Sequence, residues 1–149
     1  MGAYKRIIVG SDGSATSLLA VDRAGAIAAE ANAELLVVSA YEPADKAEVA
    51  AASDALKADA FQVVGSAPAE NALREAADRA RAAGATKVET LAVQGAPIKV
   101  LDDAVTDCDA DLLVVGNVGL NTLTGRILGS VPSGVARRAG VDVLIVHTS

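Results

Sequence analysis

Ala110–Val131, reading ADLLVVGNVGLNTLTGRILGSV, is the stretch that decides the fold. Leu112 to Val115 is an unbroken apolar run that stops at Gly116, as a short strand buried on both faces does in a parallel sheet. Gly119 follows, and after nine intervening residues Gly129 and Ser130 stand where a helix is expected to begin. Closely spaced glycines let backbone N–H groups approach a ligand with no Cβ in the way. A helix N-terminus adds unpaired donors and partial positive charge. A strand, a glycine-bearing loop and a helix in that order form a cradle for phosphate.

Working outward, Arg6 to Val9 is a second apolar run, closed by the turn Gly10-Ser11-Asp12-Gly13-Ser14, which is rich in helix-capping residues. Leu18, Val21, Ala24, Gly25 and Ala28 recur at helical spacing and predict a helix ending near Asn32, with a strand over Leu35–Ala40 after it. Residues 41–68 are the least regular part; their alanine-rich middle could form a helix, and bare loops of that length are uncommon. Pro68–Ala83 predicts a second helix with Gly84 as its C-cap. A strand over Lys87–Val93 follows, then a helix with Pro97 in its first turn and Ile98, Leu101, Val105 and Cys108 on one face. Beyond the glycine loop come a helix over Ser130–Ala139 and a last strand over Asp142–His147. Strands alternating with helices imply one doubly wound α/β domain, residues 1–149, with a mostly parallel sheet. Ile8-Val9-Gly10 and Val114-Val115-Gly116 echo each other as buried strands ending in glycine. In such sheets ligands bind beyond the carboxyl ends of the strands, where the winding reverses.

Composition removes several classes of function. The 52% apolar content is aliphatic, with Tyr4, Tyr41 and Phe61 the only aromatics, so bases have no stacking platform. A net charge of −6 repels polyanions, and no nucleic-acid partner is expected. Cys108, the sole cysteine, can form neither an internal disulfide nor a thiolate metal cluster, which suits a reducing compartment. The opening MGAYKRIIVG has no signal-peptide core, and no run approaches the roughly 18 apolar residues of a membrane span. A cytoplasmic location with no membrane partner is the expectation. Gly2 does not suggest myristoylation, because Arg6 stands where that motif wants Ser or Thr.

Asp107-x-Asp109-x-Asp111 opens like a calcium loop, yet the sixth position is Leu112 instead of Gly and the twelfth Val118 instead of Glu. His147, the sole histidine, has no second ligand at helical spacing. No metal site is expected from either.

The spacing Gly116-x2-Gly119-x9-Gly129-Ser130, with Val9–Ser14, Gly95-Ala96-Pro97 and Val143–Val146, resembles the ATP-binding branch of the universal stress protein family over nearly the whole chain. That resemblance implies a Rossmann-like, adenine nucleotide alpha hydrolase-like sheet of five parallel strands in the order 3-2-1-4-5, with the two glycine-ended strands, Arg6–Val9 and Leu112–Val115, adjacent at the reversal. It implies an adenine nucleotide as ligand, ATP or, as in actinobacterial-like relatives, cyclic AMP, with any magnesium held only through the phosphates. The implied binding residues are Gly10, Ser11, Asp12, Ala40, Gly116, Val118, Gly119, Arg126, Gly129, Ser130 and Val131. Ser11 and Asp12 would lie at the adenosine end, and the Ala40 backbone would line the adenine pocket. Other readings stand beside these: Asp12 or Ser14 as a simple helix cap, the glycines as a tight turn, and Arg126 in solvent while Leu123, Ile127 and Leu128 anchor the loop. Pro132 departs from the family's usual Ser or Thr, removing a hydroxyl and an N–H from the end of the cradle.

A sensor, reservoir or regulator in the stress response is the function so implied, with no catalytic residue. An ATPase or phosphotransferase is the alternative from another class, but GxxxxGK(S/T) is absent, no lysine follows any glycine pair and no base can be assigned. A pure protein-interaction module would not need the intact glycine motif. Val143–Val146, apolar and at the edge of the implied sheet, is expected to form a homodimer by pairing with its own copy.

Overall fold

The computed structural model describes residues 4–41, 66–117 and 140–147. Its elements are β1 (Arg6–Gly10), α1 (Ala15–Ala31), β2 (Glu34–Tyr41), α2 (Ser66–Ala82), β3 (Lys87–Gln94), α3 (Pro97–Asp107), β4 (Leu112–Gly116) and β5 (Asp142–Val146). All the strand pairs are parallel and the order is β3-β2-β1-β4-β5, as the family resemblance implied. α2 starts earlier than Pro68 because a proline is tolerated throughout a first turn, where N–H groups have no intrahelical partner. The expected helix over 130–139 and any structure within 42–65 fall outside the described residues.

β1 lies at the centre of the sheet, and its sequence shows why. Ile7 and Val9 are buried with α1 and α2 on one face, Ile8 with α3 on the other, so every residue of the strand interior must be apolar. The edge strand β3 instead has no fully buried residue, and Lys87, Glu89, Thr90, Leu91 and Gln94 are exposed. The winding is therefore double: α1 and α2 cover one face and α3 the opposite one.

Each of the three described helices hands the chain to the next strand by one device. Asn32 (φ 53°), Gly84 (φ 115°) and Asp109 (φ 54°) turn the backbone to positive φ. The alanine after each then donates back into the last turn: Ala33 to the Ala28 carbonyl at 2.9 Å, Ala85 to Ala80 at 3.1 Å, Ala110 to Val105 at 3.0 Å. This is the helix-ending motif that satisfies orphan carbonyls, and the buried alanine supplies its apolar contact. Two of the acidic residues that mimic a calcium loop thus have structural work. Asp109 terminates α3, while the Asp111 carboxylate accepts from the N–H groups of Lys5 and Arg6 at 2.9–3.2 Å, fixing the start of β1 beside β4. At the outer side of the same end, the Tyr4 hydroxyl donates to Asp142 at 3.0 Å, and that bond raises the tyrosine pKa above its ordinary value.

α1 and α2 meet along small residues, Ala24, Gly25 and Ala28 facing Ala76 and Ala80. Asp22 and Arg79 clamp them with two hydrogen bonds, one of 2.9 Å, but both side chains are well exposed, so the pair adds only about 0.2–1 kcal/mol. Close approach at Gly25 matters more: a Cβ there would lie 2.9 Å from the Ala80 carbonyl oxygen, and a backbone atom cannot step aside. Gly25→Val is expected to cost about 1–3 kcal/mol in urea unfolding despite the loss of a mid-helix glycine. A wild-type midpoint would show that the helices are not locked at this distance.

Candidate functional site

Parallel strands that stop pairing leave a gap, and the register shows where. β1 pairs with β2 as far as Gly10↔Val38, and β4 with β5 as far as Gly116↔Val146, but β1 and β4 pair only from Ile7↔Leu112 to Val9↔Val114. Past that point the first N–H groups to leave the strands turn outward. Ser11 donates to the Val38 carbonyl and Asn117 to the Val146 carbonyl, each at 2.9 Å. Gly95, after β3, likewise donates to Tyr41 at 2.9 Å. The loops after β1 and β4 are thus each tied to the strand on the far side from the other, so a crevice opens between β1 and β4 at the reversal. The N-termini of α1 and α3 lie at this end of the sheet; neither has an acidic residue in its first turn, and Ala96 offers α3 no side-chain cap. Both contribute partial positive charge there.

The β1–α1 loop is held by its own side chains. Ser14 is the N-cap, its hydroxyl accepting from the Ser17 N–H at 3.2 Å. Asp12 does not cap the helix directly; its Oδ1 accepts the Ser14 N–H at 2.9 Å, and its second oxygen has no hydrogen bond among the described residues. Ser11 is fully buried, its hydroxyl accepting from Gly13 N–H at 3.2 Å and paired with the Ser17 hydroxyl at 3.1 Å. Gly13 sits at φ 84°, and a Cβ on it would come within 2.9 Å of Ala72 on α2.

Among the residues expected to bind, the structure brings the end of β1 and the end of β4 to the two sides of this gap. Gly10 has a packing reason of its own, since a Cβ there would press on both methyls of Leu101 of α3 at 3.3 Å. Ala40, half-buried, lies two residues beyond Val38, the partner of Gly10, and packs with Val93 on the α3 face. Gly116 ends β4 opposite Val146. Val118, Gly119, Arg126, Gly129, Ser130 and Val131 lie outside the described residues, as does Pro132.

Sequence reading missed two residues of this region. Asn117, only 8% exposed, reaches His147 with Nδ2 at 3.4 Å from Nδ1, a contact that becomes visible once the β4–β5 register sets Gly116 beside Val146. Ser17 was signalled only by its position three residues after the cap. Among the described residues no three His, Cys, Asp or Glu side chains gather as a metal site would require. Two concavities, of about 580 and 700 Å³, lie at the opposite end of the sheet around Arg6, Glu34 and Lys87. Their linings mix exposed charges of both signs and hold no strand-end loop.

The strained turn allows a direct check. Gly13→Ala is expected to destabilise by about 1–2 kcal/mol through the positive φ alone, with a further loss from displacing Ala72. Unfolding at the wild-type midpoint would mean that the loop relaxes freely away from α2.

A doubly wound α/β protein with a crevice at the β1–β4 reversal is the class that fold and site define. The family model for the Universal stress protein family matches residues 3–147. Universal stress protein Rv1636 of Mycobacterium tuberculosis is 52% identical over 149 residues, covering 100% of both chains. A putative universal stress protein of Staphylococcus aureus strain USA300 is 32% identical over 151 residues, covering 99% of this chain and 87% of its own. A solved universal stress protein in complex with cAMP aligns with a TM-score of 0.76 at 51% identity, over 99% of this chain and 100% of that one. The chain belongs to the universal stress protein family. No helix among the described residues is long and apolar enough to cross a membrane.

Proposed function

We propose that this protein binds an adenine nucleotide in the crevice between β1 and β4 and serves as a cytoplasmic sensor, reservoir or regulator in the stress response. The observation that carries the reading is the parting of those strands after Val9↔Val114, with both flanking loops tied outward. Their backbone turns and the uncommitted Asp12 oxygen suit the adenosine end, with the Ala40 backbone beside it. Gly116, Val118, Gly119, Arg126, Gly129, Ser130 and Val131 supply the phosphate end by their spacing. Cyclic AMP is favoured over ATP on two grounds. A relative 51% identical to this chain was solved in complex with cAMP, and Pro132 removes a hydroxyl and an N–H that terminal phosphates would use. Any magnesium would be held through the nucleotide's phosphates alone.

Turnover is not part of this function. Transition-state stabilisation would need a lysine-bearing phosphate loop, a base or a water-orienting residue; the lysine loop is absent from the sequence and no residue in it can be assigned to the other roles. Calorimetry with ATP and cyclic AMP on Gly129→Val tests the cradle: a bulky side chain where the phosphates sit should abolish binding in a folded protein. Wild-type affinity in that variant would remove the assignment.

The proposed partner is a second copy of the chain. β5 is the last strand in the sheet order and its Val143, Leu144 and Ile145 are only half-buried, so among the described residues one side of its backbone ladder has no partner strand. A two-fold copy pairing β5 with β5 would satisfy that ladder and close on itself. Sedimentation at micromolar concentration should give a dimer that Ile145→Lys dissociates, and a dimer indifferent to the substitution would exclude the β5 interface.

A further inference from the structure

We infer that Ser17, buried in the first turn of α1, is a positioning residue that shapes the adenosine end of the crevice through Ser11. The inference rests on the nucleotide-binding reading and deepens it.

Proton counting fixes the direction of the network. The Ser17 hydroxyl donates its one proton to the Ser14 carbonyl at 2.9 Å. In its 3.1 Å contact with Ser11 it must therefore accept, and Ser11 must donate. Ser11 in turn accepts the Gly13 N–H at 3.2 Å. A single chain results, from Gly13 N–H through the Ser11 and Ser17 hydroxyls to the Ser14 carbonyl, with Ser11 0% and Ser17 7% exposed. Neither hydroxyl has a proton left for a ligand, so Ser11 acts on the nucleotide through the form of the loop.

The local sequence makes this possible. In the usual capping box the third helical residue is Glu or Gln, and it takes the N–H of the cap. Here Asp12 takes that N–H at 2.9 Å, which leaves the third helical position, Ser17, available for a hydroxyl turned inward. Asp12 itself is carried between two members of the chain, Ser11 and Gly13, and Gly13 is pressed toward Ala72 at positive φ. Deleting the Ser17 hydroxyl strands the Ser11 proton where no water reaches it. Ser11 must then turn, the Gly13 N–H is released, and Asp12 loses its fixed position.

Ser17→Ala is expected to weaken binding of both adenosine and cyclic AMP by about tenfold, by the same factor for each, because the effect lies at the end they share. Ser11→Ala should do likewise, and the double variant should bind no more weakly than either single one. Ser17→Thr should restore affinity, since a helical threonine can bond the carbonyl three residues back. In ligand-free protein, Ser17→Ala should speed amide hydrogen exchange at Gly13. Additive losses, a loss confined to cyclic AMP, no rescue by threonine, or unchanged Gly13 exchange would each overturn the positioning role while leaving nucleotide binding intact. Wild-type protein that binds neither adenosine nor cyclic AMP would overturn both.

Discussion

Everything at the carboxyl end of the sheet depends on one constraint: β1 must pair on both sides along its buried length and then release one partner. β1 is apolar throughout its interior because helices cover both faces, and right-handed crossovers send α1 and α3 to opposite faces. The chain leaving β1 is drawn toward β2, and the chain leaving β4 toward β5. Their first free N–H groups follow, to Val38 and Val146. The gap between them is thus a product of topology, and it would exist whatever residues filled the loops.

Within that gap the glycines divide their labour. Gly10 resembles a ligand-facing glycine, yet the space its missing side chain leaves is taken by Leu101 of α3. Gly13 is needed for a backbone turn that presses on α2. Smallness at the end of β1 therefore serves helix packing first, and closeness to a ligand follows because the packing draws the loop inward. The serines show the same economy, since their hydroxyls are consumed inside the loop.

Much of the architecture was legible in the sequence, for physical reasons that can be named. Strands buried on both faces produce continuous apolar runs such as Ile7–Val9 and Leu112–Val115, and a glycine at a helix end, Gly84, announces positive φ. Asp109 performs the same turn without announcing it, because its spacing with Asp107 and Asp111 mimics a cation loop. Asp12 and Ser14 could not be separated by residue type, as both are good caps two positions apart; only the hydrogen bonds decide that Ser14 caps and Asp12 supports it. The Asn117–His147 contact spans thirty positions and depends on the β4–β5 register, which no local pattern encodes. The phosphate end rests on spacing alone, since residues 118–139 lie outside the described part.

The consequence for recognition follows from where polar groups remain. With Ser11, Ser14 and Ser17 bonded to one another and to the main chain, the β1–α1 loop keeps the second oxygen of Asp12 as a side-chain acceptor with no hydrogen bond among the described residues. An acceptor suits the hydroxyls of a ribose and repels phosphate, so on the nucleotide reading this loop orients the ligand: sugar toward β1, phosphate toward β4 and its glycines. The acidic net charge of the chain then does not oppose anion binding, because Asp12 and the partial charges at the helix N-termini act locally while the remaining charges are screened within about 10 Å. On that same proposal, orientation would be set by one carboxylate held in place, and discrimination among adenine ligands would fall to the glycine loop at the other end.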